Sequence, residues 1–416
     1  MTQSGNLFVR NAAELCVPDP HGVGVTRHPG WGLYIEAGSI RWIGPEHDAP
    51  PEAHFAPVYD AEQRAVLPAL VDSHTHLIYG GDRTEDFARR ANGQTYAEIA
   101  AEGGGIQTTV RETRAATTSD LTARARKSLA RRAELGIATT EIKSGYGLEI
   151  GAETKMLEVV AALIREGHDL EPTFLGAHTV PSGTERATYI QTIIDEMIPN
   201  IATAKLARFC DVFVETGAFT IPEARRIFTQ ARAHGLIPRV HADQLSPGGG
   251  AELAAEVGAA SADHLEHISE PGIQAMAQHN VVATLLPGAL FYLGDTCPGL
   301  GRRLIDGGVE VAVATDANPG SSPTHNLPLM ATLAVTHFGL RVEEALRAIT
   351  LGAAHALRRT DIGGFAPGQR GRFIVIEDRD ARTLLASYGE PIVRALIQTD
   401  RDDIPSTSAQ RTKFVP

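Results

Sequence analysis

Residues 65–76, AVLPALVDSHTH, place two histidines directly after an apolar run that is typical of a buried strand. His74 and His76 are two residues apart, and alternate residues of a strand project to the same face. Both imidazoles would therefore point the same way from the end of one strand and contact a single metal ion. The rest of the middle of the chain repeats this pattern of an apolar run that ends in polar residues.

Seven further apolar runs follow, separated by stretches with apolar residues at helical spacing, such as DLTARARKSLARRAEL (120–135). The runs are GIATTEIKSGY (136–146), PTFLGAHT (172–179), CDVFVETG (210–217), LIPRVHAD (236–243), GAASADHLEH (258–267), VVATLLPG (281–288) and VEVAVATD (309–316). Eight strand–helix units in about 300 residues are typical of a (β/α)8 barrel. We therefore predict an α/β fold with a TIM-like barrel over residues 66–361. A doubly wound open sheet would need a glycine-rich turn after its first strand, where this chain has DSHTH.

Both ends of the chain predict short strands rather than strand–helix units. Residues 6–65 are rich in β-branched and aromatic residues, and RGRFIVIEDRD (370–380) and PIVRALIQTD (391–400) resemble them. Chain termini often lie close together in space. We predict that residues 1–65 and 362–416 together form a small β-sandwich domain.

The composition excludes several classes of protein. Among 416 residues, 43% are hydrophobic and 21% are charged, which is the balance of an ordinary globular protein. The formal net charge is −12, so the chain lacks the surplus of Lys and Arg that binding to nucleic acids or anionic membranes requires. No apolar run reaches the ~18 residues of a membrane span, and no secretory signal is visible. Three scattered cysteines form no disulfide framework, so we expect a cytoplasmic protein.

Polar residues that suit a metal site end six of the eight apolar runs. They are His74 with His76, His178, Glu215, His241, His264 and Asp316. In barrels of this type the carboxyl ends of the strands build the active site. Strands one and eight are neighbours in a closed barrel, so His74, His76, His241 and Asp316 would converge. Three neutral imidazoles and one carboxylate suit Zn²⁺ or Fe²⁺ and leave room for a water molecule.

Three residues near these ligands have candidate catalytic roles. Asp316 could accept the proton of the attacking water, although an aspartate in DANPG could also cap a turn. His264 could donate to the developing oxyanion or orient the water, or it could only support a ligand. Gln244 follows His241 by three residues and cannot titrate, so it can only orient water or substrate.

These residues resemble the amidohydrolase superfamily and, within it, the imidazolonepropionase family. The resemblance covers nearly the whole chain. Its most specific stretches are GGDRTEDF (80–87), NGQTYAEIAAEGGGI (92–106), TTEIKSGYGL (139–148), FLGAHTVP (174–181), VHADQ (240–244), SADHLEH (261–267) and TDANPGS (315–321). It implies a distorted metal-bearing barrel with a small β domain from both termini. It also implies a reaction, the hydrolytic opening of 4-imidazolone-5-propanoate to N-formimidoyl-L-glutamate in histidine degradation.

The resemblance further implies residue roles. Arg83 would pair with the propionate carboxylate, where the alternative is a surface ion pair with Glu85 or Asp86. The other residues that would line the pocket or contact the ring or product are Tyr96, Tyr146, His178, Gln244, Asn318, Gly320 and Ser321. Tyr96 could equally be an aromatic residue packed in a core. One Zn²⁺ or Fe²⁺/Fe³⁺ per subunit and a homodimer are expected.

Two other functions compete with this hypothesis. The first is a metal-dependent aminohydrolase that deaminates a small heterocycle, but such deaminases tend to have Glu at the position of Gln244. The second is an inactive barrel that serves as a binding or assembly protein, for which the loss of a metal ligand would be expected. Members of the superfamily that use a carboxylated lysine carry it on the fourth strand of the barrel. Here that strand is CDVFVETG, which contains no lysine. A single metal ion is therefore favoured over a bridged pair.

Overall fold

The computed structural model describes residues 5–95, 98–99 and 102–400, and its strands form three sheets. The first seven strands lie outside the barrel and are β1 (Leu7–Arg10), β2 (Glu14–Pro18), β3 (Val25–His28), β4 (Trp31–Glu36), β5 (Ser39–Pro45), β6 (Val58–Asp60) and β7 (Ala65–Pro68). Four of them form a sheet in the order β5-β4-β1-β6. Single turns of 3₁₀ helix at Glu46–Asp48 and Pro51–Phe55 connect β5 to β6.

Eight parallel strands form the barrel, and each corresponds to one of the eight apolar runs. They are β8 (Leu70–Asp72), β9 (Ile137–Lys143), β10 (Asp169–Ala177), β11 (Phe209–Val214), β12 (Ile237–Ala242), β13 (Ser261–His264), β14 (Val282–Leu285) and β15 (Val311–Val313). Neighbours in space are neighbours along the chain. Beyond β8 and β15, Thr75 and Ala317 form a parallel bridge, and the Asp316 N–H donates to the His74 carbonyl oxygen at 3.1 Å. These contacts join the first and last strands, and the predicted barrel is confirmed.

The helices of the described residues are α1 (Thr84–Ala91), α2 (Ile106–Ala115), α3 (Thr118–Glu134), α4 (Ile150–Arg165), α5 (Arg186–Thr192), α6 (Ile198–Thr203), α7 (Ile221–Ala233), α8 (Gly250–Glu256), α9 (Glu270–His279), α10 (Pro287–Leu293), α11 (Leu300–Asp306), α12 (Leu327–Phe338), α13 (Val342–Ala348), α14 (Leu351–Ala356) and α15 (Thr383–Ala386). A π-helical turn at Ile193–Met197 joins α5 to α6. None of these helices has the length and apolar character that a membrane span needs.

Helix α3 shows how the local sequence sets an element. Thr117 caps it, because its hydroxyl accepts from the Asp120 N–H at 3.1 Å and its own N–H donates to the Asp120 carboxylate. Leu121, Ala125 and Leu129 follow at intervals of four residues and are buried. The helix therefore begins at its cap and packs one apolar face inward.

The two ends of the chain meet in a second small sheet. Strands β16 (Arg372–Ile376) and β17 (Val393–Gln398) join the earlier strands in the order β17-β16-β7-β2-β3. The two small sheets share an apolar core whose members include Leu7, Val9, Leu15, Leu33, Ile35, Val66, Phe373 and Val375. The termini thus build sheets of their own, as expected. The domain boundaries at 65 and 362 stay a prediction.

Candidate active site

Four side chains converge at the carboxyl ends of the barrel strands. His74 and His76 follow β8, His241 lies near the end of β12, and Asp316 follows β15. The Nε2 atom of His76 lies 3.3 Å from that of His74 and 3.4 Å from that of His241. The Asp316 Oδ1 atom lies 3.5 Å from Nε2 of His74 and 3.4 Å from Nε2 of His76. All four residues are buried.

This spacing fits a metal ion. Zinc–ligand distances of about 2.0–2.1 Å in a tetrahedron separate the donor atoms by about 3.3 Å, close to the separations found here. Burial lowers the pKa of both His74 and His76 well below its ordinary value, so their imidazoles are neutral and can act as ligands. Burial raises the pKa of Asp316 to about 7, and a cation beside it would favour the charged form.

Two buried carboxylates lie beside the Nδ1 atoms of two of the imidazoles. The Asp263 Oδ2 atom lies 2.7 Å from Nδ1 of His74, and the Asp211 Oδ2 atom lies 3.0 Å from Nδ1 of His241. At His74, an Nδ1–H that donates to the Asp263 carboxylate leaves the Nε2 lone pair free to bind a metal ion. Neither aspartate was predicted from the sequence. The available signal was an ionisable residue inside an apolar strand, at Asp211 in FCDVFV and Asp263 in SADH.

His264 lies at the end of β13, beside the ligands. Its ring centroid is 5.3 Å from that of His241 and 5.8 Å from that of His74. His264, His74 and His241 also form a group whose ligand atoms all lie within 4.8 Å of one another. Burial lowers the pKa of His264, but Glu266, 3.7 Å from Nδ1, and other acidic neighbours outweigh burial and raise it. The φ angle of +80° places His264 in a region that non-glycine residues seldom adopt.

His178 and Tyr146 form an aromatic wall next to His76. The His178 ring stacks on that of His76 with centroids 5.2 Å apart, and its Nδ1 lies 3.0 Å from the Gly145 carbonyl oxygen. The Tyr146 ring lies 5.8 Å from that of His76 and 5.5 Å from that of His178. Burial lowers the pKa of His178 to about 3, so its imidazole is neutral.

Glu153 holds the loop that carries Tyr146. Its buried carboxylate accepts from the N–H groups of Gly145 at 3.0 Å, Gly147 at 2.7 Å and Leu148 at 2.8 Å. Because the Gly145 carbonyl also contacts His178, Glu153 orders both residues of the aromatic wall. Glu153 was not predicted from the sequence. It lies in the first turn of α4, and nothing in its local sequence indicates its role.

Arg83 lies beside the loop that follows Asp316. Its side chain is only 7% exposed, and it donates to Asp86 through Nε and to Thr109 through Nη1 at 3.4 Å. A Cβ atom added at Gly320 would lie 3.3 Å from Arg83 Nη1. The ion pair with Asp86 that the sequence offered as an alternative exists, but it is not on the surface.

Asn318 folds the same loop. Its Oδ1 accepts from the N–H groups of Gly320 and Ser321, both at 2.8 Å, and its Nδ2 donates to the Asp316 carbonyl at 2.7 Å. Asn318, Gly320 and Ser321 therefore lie together next to Asp316, one of the candidate ligands. Glu215, by contrast, accepts from the N–H groups of Leu245 and Ser246, and so it holds a loop.

Gln244 and Tyr96 are the two remaining candidates from the sequence. Gln244 is half-buried and follows Asp243, whose φ of +50° turns the chain after β12. Tyr96 lies outside the described residues. The structure thus brings together the four candidate ligands with His264, His178 and Tyr146, and it places Arg83 beside Gly320.

Comparisons with known proteins agree with this architecture. The model of the amidohydrolase family matches residues 65–400. An imidazolonepropionase from Brevibacillus brevis is 43% identical over 375 residues, 88% of each chain. One from Clostridium tetani is 40% identical over 412 residues, 95% of this chain and 97% of the relative. The crystal structure of 5-methylcytosine deaminase from Klebsiella pneumoniae has a TM-score of 0.72 at 15% identity, covering 98% of this chain and 99% of the other.

Proposed function

The chain belongs to the amidohydrolase family, among the imidazolonepropionases, and on this premise we propose that its His/Asp centre opens the ring of 4-imidazolone-5-propanoate. Water adds to the ring carbonyl, the C–N bond of the cyclic amide breaks, and N-formimidoyl-L-glutamate is the product. The observation that carries the proposal is the series of four contacts at 3.3–3.5 Å that links the buried donor atoms of His74, His76, His241 and Asp316.

We propose that His74, His76, His241 and Asp316 hold one Zn²⁺ or Fe²⁺/Fe³⁺ ion per subunit. When bound, the ion would polarise the carbonyl and lower the pKa of water. Strand β11, with the sequence FCDVFV, offers no lysine for a bridged pair, which supports a single ion.

Asp316 is the proposed proton acceptor for the attacking water. Burial favours the protonated form of Asp316, which suits a proton acceptor, while a bound cation would favour its carboxylate before the proton is taken up. His264 has a raised pKa and donates to the developing negative charge on the carbonyl oxygen. Gln244 cannot carry a proton, so its role is to orient water or substrate. The leaving nitrogen belongs to an amidine and departs more easily than a simple amine.

Arg83 is the proposed partner of the propionate carboxylate. Its guanidinium is nearly buried and lies against Gly320, two residues beyond Asn318 in the loop that carries Asp316. A guanidinium can bind a carboxylate through two parallel hydrogen bonds. Tyr146 and His178 would line the pocket on the other side, with Tyr96, Asn318, Gly320 and Ser321 as further contacts. A homodimer and a cytoplasmic location are also proposed.

One experiment tests the function directly. Purified protein is incubated with 4-imidazolone-5-propanoate, the product is identified by mass spectrometry, and the metal content of the same sample is measured. We expect N-formimidoyl-L-glutamate, about one equivalent of metal, and loss of the reaction after chelation. Release of ammonia with the ring intact would instead support an aminohydrolase. A metal-free protein with no activity after reconstitution would support an inactive barrel.

A further inference from the structure

Lys143 is the centre of a buried ion cluster next to the proposed metal ligands. It ends β9, and its side chain is fully buried. Its Nζ atom lies 2.9 Å from Glu141 Oε1, 2.8 Å from Asp211 Oδ2 and 3.7 Å from Asp263 Oδ2. A buried ammonium is costly without such partners, so the cluster has to be explained.

Two of these carboxylates are the ones that contact metal-ligating imidazoles. Asp211 lies against His241 at 3.0 Å, and Asp263 lies against His74 at 2.7 Å. One ammonium therefore contacts both carboxylates that orient ligands from β12 and from the end of β8. We propose that Lys143 is a positioning residue that fixes Asp211 and Asp263, and through them the rings of His241 and His74, in the geometry that binds the metal.

The two aspartates that Lys143 contacts differ in how many other side chains hold them. Asp263 also pairs with Arg239 at 3.0 Å and accepts from the Ser261 hydroxyl at 2.6 Å. Within the part of the chain that the structure describes, Asp211 pairs with no lysine or arginine other than Lys143. Loss of Lys143 therefore acts first on Asp211 and on the orientation of His241.

The charge state of the cluster agrees with this role. Burial lowers the pKa of Lys143, but Asp211 and Glu141 outweigh burial and raise it above the ordinary value. Lys143 is thus an ammonium, which can pair with the carboxylates around it.

The inference rests on the proposed metal-dependent function, and its test is metal retention rather than activity. Lys143→Met removes the charge and keeps much of the side-chain length. Lys155→Met is the matched control, because Lys155 Nζ donates to the carbonyls of Thr113, Arg114 and Ala116 at 2.8–3.0 Å and contacts no member of the cluster. Zinc transfer to a chromophoric chelator gives the affinity, and the visible spectrum of the Co²⁺-substituted protein reports ligand geometry.

We expect Lys143→Met to bind zinc about 10–100-fold more weakly than the wild type, the range found when outer partners of metal ligands are lost. Its cobalt spectrum should change, while Lys155→Met should match the wild type in both measurements. Folded Lys143→Met protein with wild-type zinc affinity and an unchanged cobalt spectrum would overturn the inference. Wild-type protein that binds neither zinc nor iron would instead overturn the proposed function itself.

Asp211→Asn extends the test in case Lys143→Met does not fold. It should also weaken zinc binding. A zinc affinity equal to that of the wild type would overturn the role of Asp211 in orienting His241, and the inference with it. Where both single variants fold, the double variant should bind zinc no more weakly than the single variant with the lower zinc affinity. Both changes remove the same interaction, the pair of Lys143 with Asp211. Fully additive losses would show two independent effects and overturn the shared role.

Discussion

The Asp263 Oδ2 atom lies 2.7 Å from Nδ1 of His74, although 189 residues separate the two along the chain. Asp263→Asn would replace the charged acceptor with a neutral amide, which can accept or donate, and so relax both the tautomer and the ring orientation of His74. We expect zinc affinity and kcat to fall about 10–100-fold. Chelator competition measures the affinity. Asp306→Asn is the control, since Asp306 is an exposed partner of Arg302, and it should change neither quantity.

Asp316→Asn should keep the fold but lose turnover, because the amide is a poor ligand and cannot accept the proton of the water. We expect kcat to fall by about 10²–10⁴-fold. Circular dichroism and thermal melting check the fold, and single-turnover kinetics measure the chemical step. A variant that retains near-normal kcat would remove Asp316 from the proton-accepting role.

Arg83→Ala should mainly raise KM if Arg83 binds the substrate carboxylate. A hydrogen bond to a charged group contributes roughly 1.5–3 kcal/mol, so we expect a rise of about 10–100-fold. Steady-state kinetics separate this effect from a change in kcat. Arg111→Ala is the matched control, because Arg111 lies on α2 with an exposed side chain. An unchanged KM would restrict Arg83 to its ion pair with Asp86.

Glu223 should make the stability of the fold depend on pH. Its hydrogen bonds with Arg186, with burial opposing, lower its pKa from the unfolded value of 4.5 to about 2. The carboxylate therefore stabilises the fold fully above pH 4.5, and this contribution is lost as the pH falls toward 2. Glu223→Gln should lower the melting temperature at pH 7 and by less at pH 3.5. Equal decreases at both values would contradict the assignment.

The sequence predicted the barrel and the proposed ligands for the same physical reason. A buried parallel strand is an apolar run, and its polar residues concentrate at the carboxyl end. His74, His76, His241 and Asp316 all occupy such ends, so their convergence followed once eight units were counted. The structure confirms the eight strands, while the roles of the site residues remain proposals.

The ion cluster around Lys143 could not be predicted in the same way. Glu141 and Lys143 stand out as charges in an apolar run, but their partners lie on other strands. The relative positions of β9, β11 and β13 set which of their charges meet around Lys143. A single sequence does not contain those positions. Arg83 shows the same limit, since its pairing with Asp86 is local but its burial depends on the loop around Gly320.

Thr75, which lies between His74 and His76 in the chain, forms a bridge with Ala317, which follows Asp316. An ion held by His74, His76 and Asp316 would therefore also stabilise the contact between the ends of β8 and β15, which is the seam of the barrel. Its departure would loosen hydrogen bonds between the ends of β8 and β15 before those elsewhere in the sheet. In the metal-free protein, amide hydrogen exchange should begin at this seam, and the proposed ion would then contribute to the closure of the barrel as well as to the reaction.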